Sequence, residues 1–273
     1  MKLLLALILI IKSVYASDFV SGMNLTELGN FKYDAAGPGE EKTAAQIAVD
    51  HIYELGARHI VLNPVATMQN PRGFEVKPNT PASERRDERG RYLRLIKYIK
   101  SKGMSVGLRP IFFVVKPDGT FPYVEIDARG QKKVWWHGNI QPKDPEAWFE
   151  SFKAFLDSYI LIGRIAKVEE FTIGAELYSM TVGIEDQWKE HPFGFPKKWL
   201  EILNYTRAKL GDDVRIMYDI NFTDDSVSVS GNLKALGGEL ERWRYRIVDL
   251  AEPSDPEEYK TWRDLVDFWN GLD

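Results

Sequence analysis

A single carboxylate closes an otherwise apolar stretch in the middle of the chain. The segment FTIGAELYSM, residues 171–180, has the composition of a buried strand up to Ala175 and then places Glu176. Because side chains alternate along a strand, Thr172, Gly174 and Glu176 are expected to share one face. On the inner face of a parallel barrel, such a carboxylate could exchange a proton with a bound molecule. A surface glutamate without a chemical role is the alternative that the local pattern leaves open.

Further polar residues stand at or near the ends of the other strand-like segments. If those segments form one sheet, their carboxyl ends meet and the polar side chains form a ring at one end of the fold. The candidate binding residues chosen on this ground are Asn24, Asn63, Arg109, Asp219 and Asn221. For Arg109, a structural ion pair with a neighbouring carboxylate is the alternative.

A tryptophan-rich segment, KKVWWHGNIQPKDPEAWF, spans residues 132–149. Its lysine, glycine and proline content is typical of a loop, so Trp135 and Trp136 are expected to be exposed. Exposed indole rings on a substrate-facing loop suit stacking on the C–H faces of sugar rings. Trp188, in a second aromatic segment, extends this pattern. The alternative is that these indoles cover the rim of the fold.

Strand-like and helical segments alternate along the chain. The expected strands are residues 19–25, 59–65, 105–115, 169–177 and 214–222, and the expected helices are 40–56, 83–103, 144–167 and 196–211. This alternation predicts parallel βα architecture. Neither a G-x-G-x-x-G turn nor a P-loop follows the first strand, which disfavours a nucleotide-binding open sheet. We therefore predict an α/β fold of the (β/α)8 TIM-barrel type, with about five of the eight βα units evident.

Composition excludes several function classes. The 273 residues include 36 basic and 40 acidic ones, mixed along the chain with a net charge of −4, so no nucleic-acid partner is expected. The chain has no cysteine and therefore no disulfide framework. Its four histidines show no zinc-binding spacing, so we expect no metal and no cofactor.

The N-terminus has the pattern of a secretory signal peptide. Lys2 precedes an apolar run, and Val14-Tyr15-Ala16 fits a cleavage site, which gives a mature start near Ser17. We expect residues 1–16 to be the signal peptide, and 17–273 to form a secreted or periplasmic domain without membrane attachment. An uncleaved anchor is the alternative, although the run is shorter than the ~20 residues that span a bilayer.

Four motifs, in this order and spacing, resemble glycoside hydrolase family 113, whose members are β-mannanase-like barrels of the large retaining clan. They are GMNLT, PNTPASE, WWHGNIQPKDPEAWFESF and FTIGAELYSM, and the resemblance covers roughly residues 19–222. It implies that Glu176 is the general acid/base of a retaining reaction on a β-linked, mannan-like oligo- or polysaccharide. It also implies that Trp136, His137 and Asn139 line the sugar subsites.

The same resemblance identifies a departure from the family pattern. A retaining glycosidase needs a second carboxyl group ~5–5.5 Å from the first. In the family this nucleophile is a glutamate that ends the seventh strand, whereas we find only five strands. We therefore expect the nucleophile to be missing from this chain, with Asp219 as the only well-placed substitute. A glycoside hydrolase, a non-catalytic carbohydrate-binding protein and an inactive truncated fragment all remain as hypotheses.

Overall fold

The computed structural model describes residues 21–28, 31–184 and 187–219. The predicted signal peptide and Asn221 lie outside these residues. In chain order the elements are β1 (Gly22–Thr26), α1 (Ala44–Glu54), β2 (His59–Asn63), β3 (Val65–Met68), β4 (Lys77–Pro78), α2 (Arg85–Ser101), β5 (Ser105–Leu108), β6 (Ile111–Val114), β7 (Tyr123–Ile126), β8 (Lys132–Trp135), α3 (Pro145–Ala166), β9 (Glu170–Ala175), α4 (Tyr178–Thr181), α5 (Pro196–Leu210) and β10 (Arg215–Asp219).

Five parallel strands form the central sheet, in the order β1-β2-β5-β9-β10. The strands lie side by side in the order in which they occur in the chain, so the strand order shows no reversal across the sheet. A doubly wound open sheet would contain such a reversal, whereas a βα barrel does not. The predicted strand and helix alternation is confirmed for the described residues.

Local signals account for the positions of the outer helices. α1 begins with a capping box, in which Thr43 accepts from the Gln46 amide and the Gln46 side chain accepts from the Thr43 amide. α3 begins after Asp144, whose side chain accepts from the Ala147 amide, and Pro145 occupies its first turn. α3 buries large aromatic side chains, including Phe152, against the sheet and α5.

Two prolines divide strands that the sequence pattern treats as continuous. The expected strands 59–65 and 105–115 end at Asn63 and Leu108, and Pro64 and Pro110 lie outside any strand. Proline has no N–H to donate, so it interrupts the ladder at both places. Beyond the prolines, β3 and β6 pair in parallel, and β4 joins them in a separate three-stranded sheet. The prediction of one unbroken strand over 105–115 is therefore wrong.

A bulge in β9 changes which side chains face the barrel interior. Thr172 pairs with Met217, but Ala175 pairs with Asp219, so three steps on β9 match two steps on β10. As a result Gly174 faces the helices, where an added Cβ would lie 2.8 Å from Cη2 of Trp199. The expected alternation therefore does not hold at Gly174, whose Cβ direction points to Trp199 and Tyr218, although Gly174 and Glu176 line the same cavity.

Polar and charged side chains connect four strands at the amino-terminal end of the sheet. His59 on β2 lies 2.7 Å from the Ser105 hydroxyl on β5, and its Nε2 lies 3.2 Å from the Glu170 carboxylate on β9. Glu170 also accepts from the Arg215 guanidinium on β10 at 2.6 Å. Gly107 leaves room for the imidazole, since a Cβ there would lie 3.2 Å from His59 Nε2. We call this group the interior ion-pair cluster.

Candidate active site

Glu176 follows β9 directly and has an unusual backbone conformation. Its φ of +52° lies in the left-handed region, which costs a non-glycine residue roughly 1–2 kcal/mol. Its amide donates to the Asp219 carbonyl at 2.7 Å, and the next amide, of Leu177, donates to the Tyr218 hydroxyl at 2.8 Å. β10 therefore holds the peptide groups on both sides of the Glu176 Cα.

Glu176 lines a cavity of about 260 Å³ at the carboxyl ends of β5 and β9. We call it the Glu176 cavity. Its polar lining residues are Arg109, His137 and Glu176, and apolar walls come from residues that include Ile111, Phe112 and Leu177. An apolar concavity with a few converging polar groups is the usual form of a small-molecule or sugar site.

His137 lies beside the Glu176 carboxylate. Its Nε2 lies 3.5 Å from Glu176 Oε2, and its ring meets the edge of Trp136 at a centroid distance of 4.9 Å. The residue belongs to a short 3-10 turn, His137–Asn139, between β8 and α3. Gly138 in this turn permits the approach, because a Cβ there would lie 2.7 Å from the Glu176 carbonyl oxygen.

Arg109 and Asp219 form an ion pair across the sheet beside Glu176. Burial raises the pKa of Asp219, the Arg109 charge opposes this shift, and the nearby Glu176 carboxylate adds to it. Arg109 therefore has the carboxylate partner that the ion-pair alternative expects, and its role in substrate binding stays a prediction. Arg109, Asp219 and Glu176 form part of the predicted polar ring.

The three predicted asparagines within the described residues occupy different settings. The Asn63 amide donates to the Thr26 hydroxyl at 2.6 Å, and Asn24 lies exposed on β1. Asn139 accepts from the Trp136 amide at 2.9 Å and donates to the Val134 carbonyl at 3.0 Å. Asn139 thus stabilises the turn that carries His137. Substrate binding by these asparagines stays a prediction.

The prediction that Trp135 is exposed is wrong. Its residue range is not an irregular loop but the second strand of the β7–β8 hairpin. Strand alternation turns Trp135 into the core, where it is 0% exposed, while its neighbour Val134 is 49% exposed. The indole lies between the Arg72 guanidinium and the Lys133 ammonium. Trp188 is also buried, whereas Trp136 remains partly exposed.

Two residues of the site were not found by sequence reasoning. Gly138 carries a weak signal, because a glycine within an aromatic turn indicates close packing. Tyr218 carries none, since its hydroxyl reaches Leu177 from a residue 41 positions away in the chain. Such a contact depends on the pairing of β9 with β10.

Within residues 21–28, 31–184 and 187–219, no three histidine, aspartate or glutamate side chains are grouped to hold a metal ion. No helix of the same residues is long and apolar enough to cross a membrane.

Comparison with known proteins identifies the family. The family model of Glycoside Hydrolase Family 113 matches residues 31–254. The β-mannanase AaManA from Alicyclobacillus acidocaldarius, solved with ManMIm, has 17% identity and a TM-score of 0.54 over 87% of this chain and 67% of its own. A second structure, a complex of a family 113 β-1,4-mannanase, has 18% identity and a TM-score of 0.49 over 78% of this chain and 59% of its own.

This chain thus spans 59% and 67% of those two structures. No curated protein matches it. The match to AaManA supports the (β/α)8 barrel fold, in agreement with the chain-order sheet. The chain belongs to glycoside hydrolase family 113.

Proposed function

We propose that this chain is part of a secreted retaining glycoside hydrolase that cleaves a β-linked, mannan-like polysaccharide, with Glu176 as general acid/base. The observation that carries the proposal is the position of Glu176. It follows a central parallel strand and lines a largely apolar cavity together with His137 and Arg109. The carboxyl ends of the strands are where βα barrels hold their chemistry.

The proposed reaction uses Glu176 twice. Its protonated carboxyl first donates a proton to the glycosidic oxygen as the C–O bond breaks, while a second carboxylate attacks the anomeric carbon. Water then attacks the anomeric carbon while the Glu176 carboxylate takes its proton, and the bond between the sugar and the nucleophile breaks. The family pattern puts that nucleophile on a seventh strand, outside the described residues.

Mannan is the proposed polymer because the similar structures are named as mannanases. The cavity also has suitable chemistry, since the partly exposed Ile111 and Phe113 offer an apolar surface and Arg109 and His137 offer hydrogen-bonding groups. Export rests on the N-terminal pattern. The intact mass of the protein from its host medium tests it, and a mass that includes residues 1–16 would contradict cleavage.

The general-acid role predicts an unequal effect of Glu176→Gln on two substrates. Hydrolysis of a β-1,4-mannooligosaccharide should fall about 10²–10⁴-fold, because its leaving oxygen needs a proton. The first-turnover burst from a dinitrophenyl β-mannobioside should change less than tenfold, because dinitrophenolate leaves without protonation. Stopped-flow absorbance and product chromatography measure the two rates.

Two further variants complete this experiment. Glu150→Gln makes the same change on the outer helix α3, where Glu150 pairs with Lys153, and should leave both rates unchanged. Asp219→Asn should keep the burst if the nucleophile lies elsewhere, and should abolish it if Asp219 is the nucleophile. Equal losses on both substrates in Glu176→Gln would contradict the general-acid role.

A non-catalytic carbohydrate-binding protein is the second candidate. It is favoured by one observation, which is that Glu176 is the only carboxylate lining its cavity among the residues that the structure describes. Calorimetric binding of mannopentaose without release of new reducing ends would favour this candidate. Turnover of the same oligosaccharide would exclude it.

A further inference from the structure

We propose that Tyr218 is a positioning residue that acts through the backbone of Glu176. Its hydroxyl accepts the Leu177 amide at 2.8 Å, one peptide group after the proposed general acid. The kinetic consequence of this contact rests on the proposed function, whereas the contact itself does not.

The Glu176 backbone needs such an anchor. A glutamate with φ of +52° holds a conformation that L-residues rarely adopt, so surrounding contacts must maintain it. On one side, the Glu176 amide bonds to the Asp219 carbonyl. On the other side, the Leu177 amide bonds to Tyr218. The second bond sets the direction of the peptide plane that leaves Glu176, and with it the direction of the Cα–Cβ bond that carries the carboxylate.

Tyr218 is itself held rigidly. Its side chain is 0% exposed, and its ring meets the edge of Trp199 at a centroid distance of 5.5 Å. Trp199 in turn donates from Nε1 to the Met180 carbonyl at 2.8 Å. Gly174 makes this packing feasible, because a Cβ there would lie 3.0 Å from the Tyr218 ring. The bulge in β9, the glycine within it and the tyrosine opposite therefore form one unit that fixes the turn at Glu176.

Removal of the hydroxyl alone isolates its contribution. In Tyr218→Phe the ring remains, but the buried Leu177 amide loses its acceptor and the peptide plane can rotate. Displacements of this size at a reacting group lower rates strongly, because proton transfer depends on distance and direction. We expect a roughly tenfold lower kcat on the β-1,4-mannooligosaccharide, with KM changed less than twofold.

The two-substrate assay separates positioning from general damage. If Tyr218 acts through the proton that Glu176 donates, the dinitrophenyl burst should change less than twofold in Tyr218→Phe. Equal losses on both substrates, or no loss on either, would overturn the proposal. The matched control is Tyr159→Phe, which removes a buried hydroxyl that bonds to Glu88, and it should leave the ratio of the two rates unchanged.

Amide hydrogen exchange tests the anchor without any turnover. In the wild-type chain, the Leu177 amide should exchange as slowly as the amides inside β9, and at least tenfold faster in Tyr218→Phe. Exchange in the wild type as fast as at the exposed turn amide of Gly119 would overturn the proposal, even if Tyr218→Phe fails to fold. If the full-length wild-type protein shows no turnover, the proposed function fails, and the exchange result alone decides the role of Tyr218.

Discussion

Two adjacent tryptophans, Trp135 and Trp136, have different surroundings in the fold. Trp135 is buried in contact with two basic side chains, whereas Trp136 is partly exposed and makes a T-shaped contact with His137 beside the Glu176 cavity. Only Trp136 can therefore offer ring surface to a bound sugar. Its second contact, with Tyr178 at a centroid distance of 6.3 Å, keeps the indole at the rim of the site.

We predict that Trp136→Ala weakens the binding of mannopentaose by about 1–3 kcal/mol, by analogy with the stacking of bases on aromatic side chains. Calorimetry on the Glu176→Gln background measures the affinity without hydrolysis. Tyr53→Ala removes a partly exposed aromatic ring from the outer helix α1 and should not change the affinity. An unchanged affinity in Trp136→Ala would remove Trp136 from the binding site.

At the scale of elements, the turn between β8 and α3 brings His137 to Glu176. Gly138 is buried in this turn, and its missing side chain leaves space that the Trp136 ring and the Glu176 carbonyl occupy. An added Cβ would lie 2.3 Å from Trp136 Cη2 and 2.7 Å from the Glu176 oxygen, which are distances that no packing tolerates. The turn and the end of β9 must therefore move apart when residue 138 carries a side chain.

We predict that Gly138→Ala lowers the free energy of unfolding by about 1–3 kcal/mol, as overpacking does elsewhere. It should also weaken the 3.5 Å contact between His137 and Glu176 and reduce turnover. Urea unfolding and the mannooligosaccharide assay measure the two effects. Gly90→Ala inside α2 meets only the flexible end of Arg94 and should raise stability by about 0.5–1 kcal/mol. Equal effects of the two substitutions would contradict the packing argument.

At the scale of the whole molecule, the interior ion-pair cluster connects β2, β5, β9 and β10. The contact with the His59 imidazole lowers the pKa of Glu170, burial opposes this shift, and the Arg215 guanidinium adds to it. Because the folded pKa is lowered, the carboxylate stabilises the fold above the usual glutamate pKa. This contribution is lost as the pH falls through the lowered folded value.

We predict that Glu170→Gln lowers the free energy of unfolding by about 1–3 kcal/mol at pH 7. The difference from the wild type should shrink as the pH falls from about 5 toward 3, because the wild-type carboxylate then takes up its proton. Urea denaturation at a series of pH values measures this trend. Glu150→Gln on the exposed surface of α3 should show no comparable difference. A Glu170→Gln difference that stays constant over the pH range would contradict the prediction.

Much of the architecture follows from local patterns. The alternation of strands and helices predicts the parallel sheet and its barrel class, because each element has a hydrophobic period and end signals that neighbouring residues supply. The same patterns place Glu176 at the end of a strand and make an ion pair a reasonable expectation for Arg109. Substrate, export and catalytic roles stay predictions.

The features that local patterns do not predict depend on pairing between segments that are distant in the chain. The sequence by itself determined that a glutamate would end the fourth predicted strand, because strand composition is a local property. Only the tertiary structure decided that β9 bulges, that Trp135 is buried in a hairpin, and that Tyr218 holds the peptide after Glu176. Each of these depends on which strand lies beside another and in which register. The residues of one strand alone do not determine that register, because it depends on how the complete sheet packs.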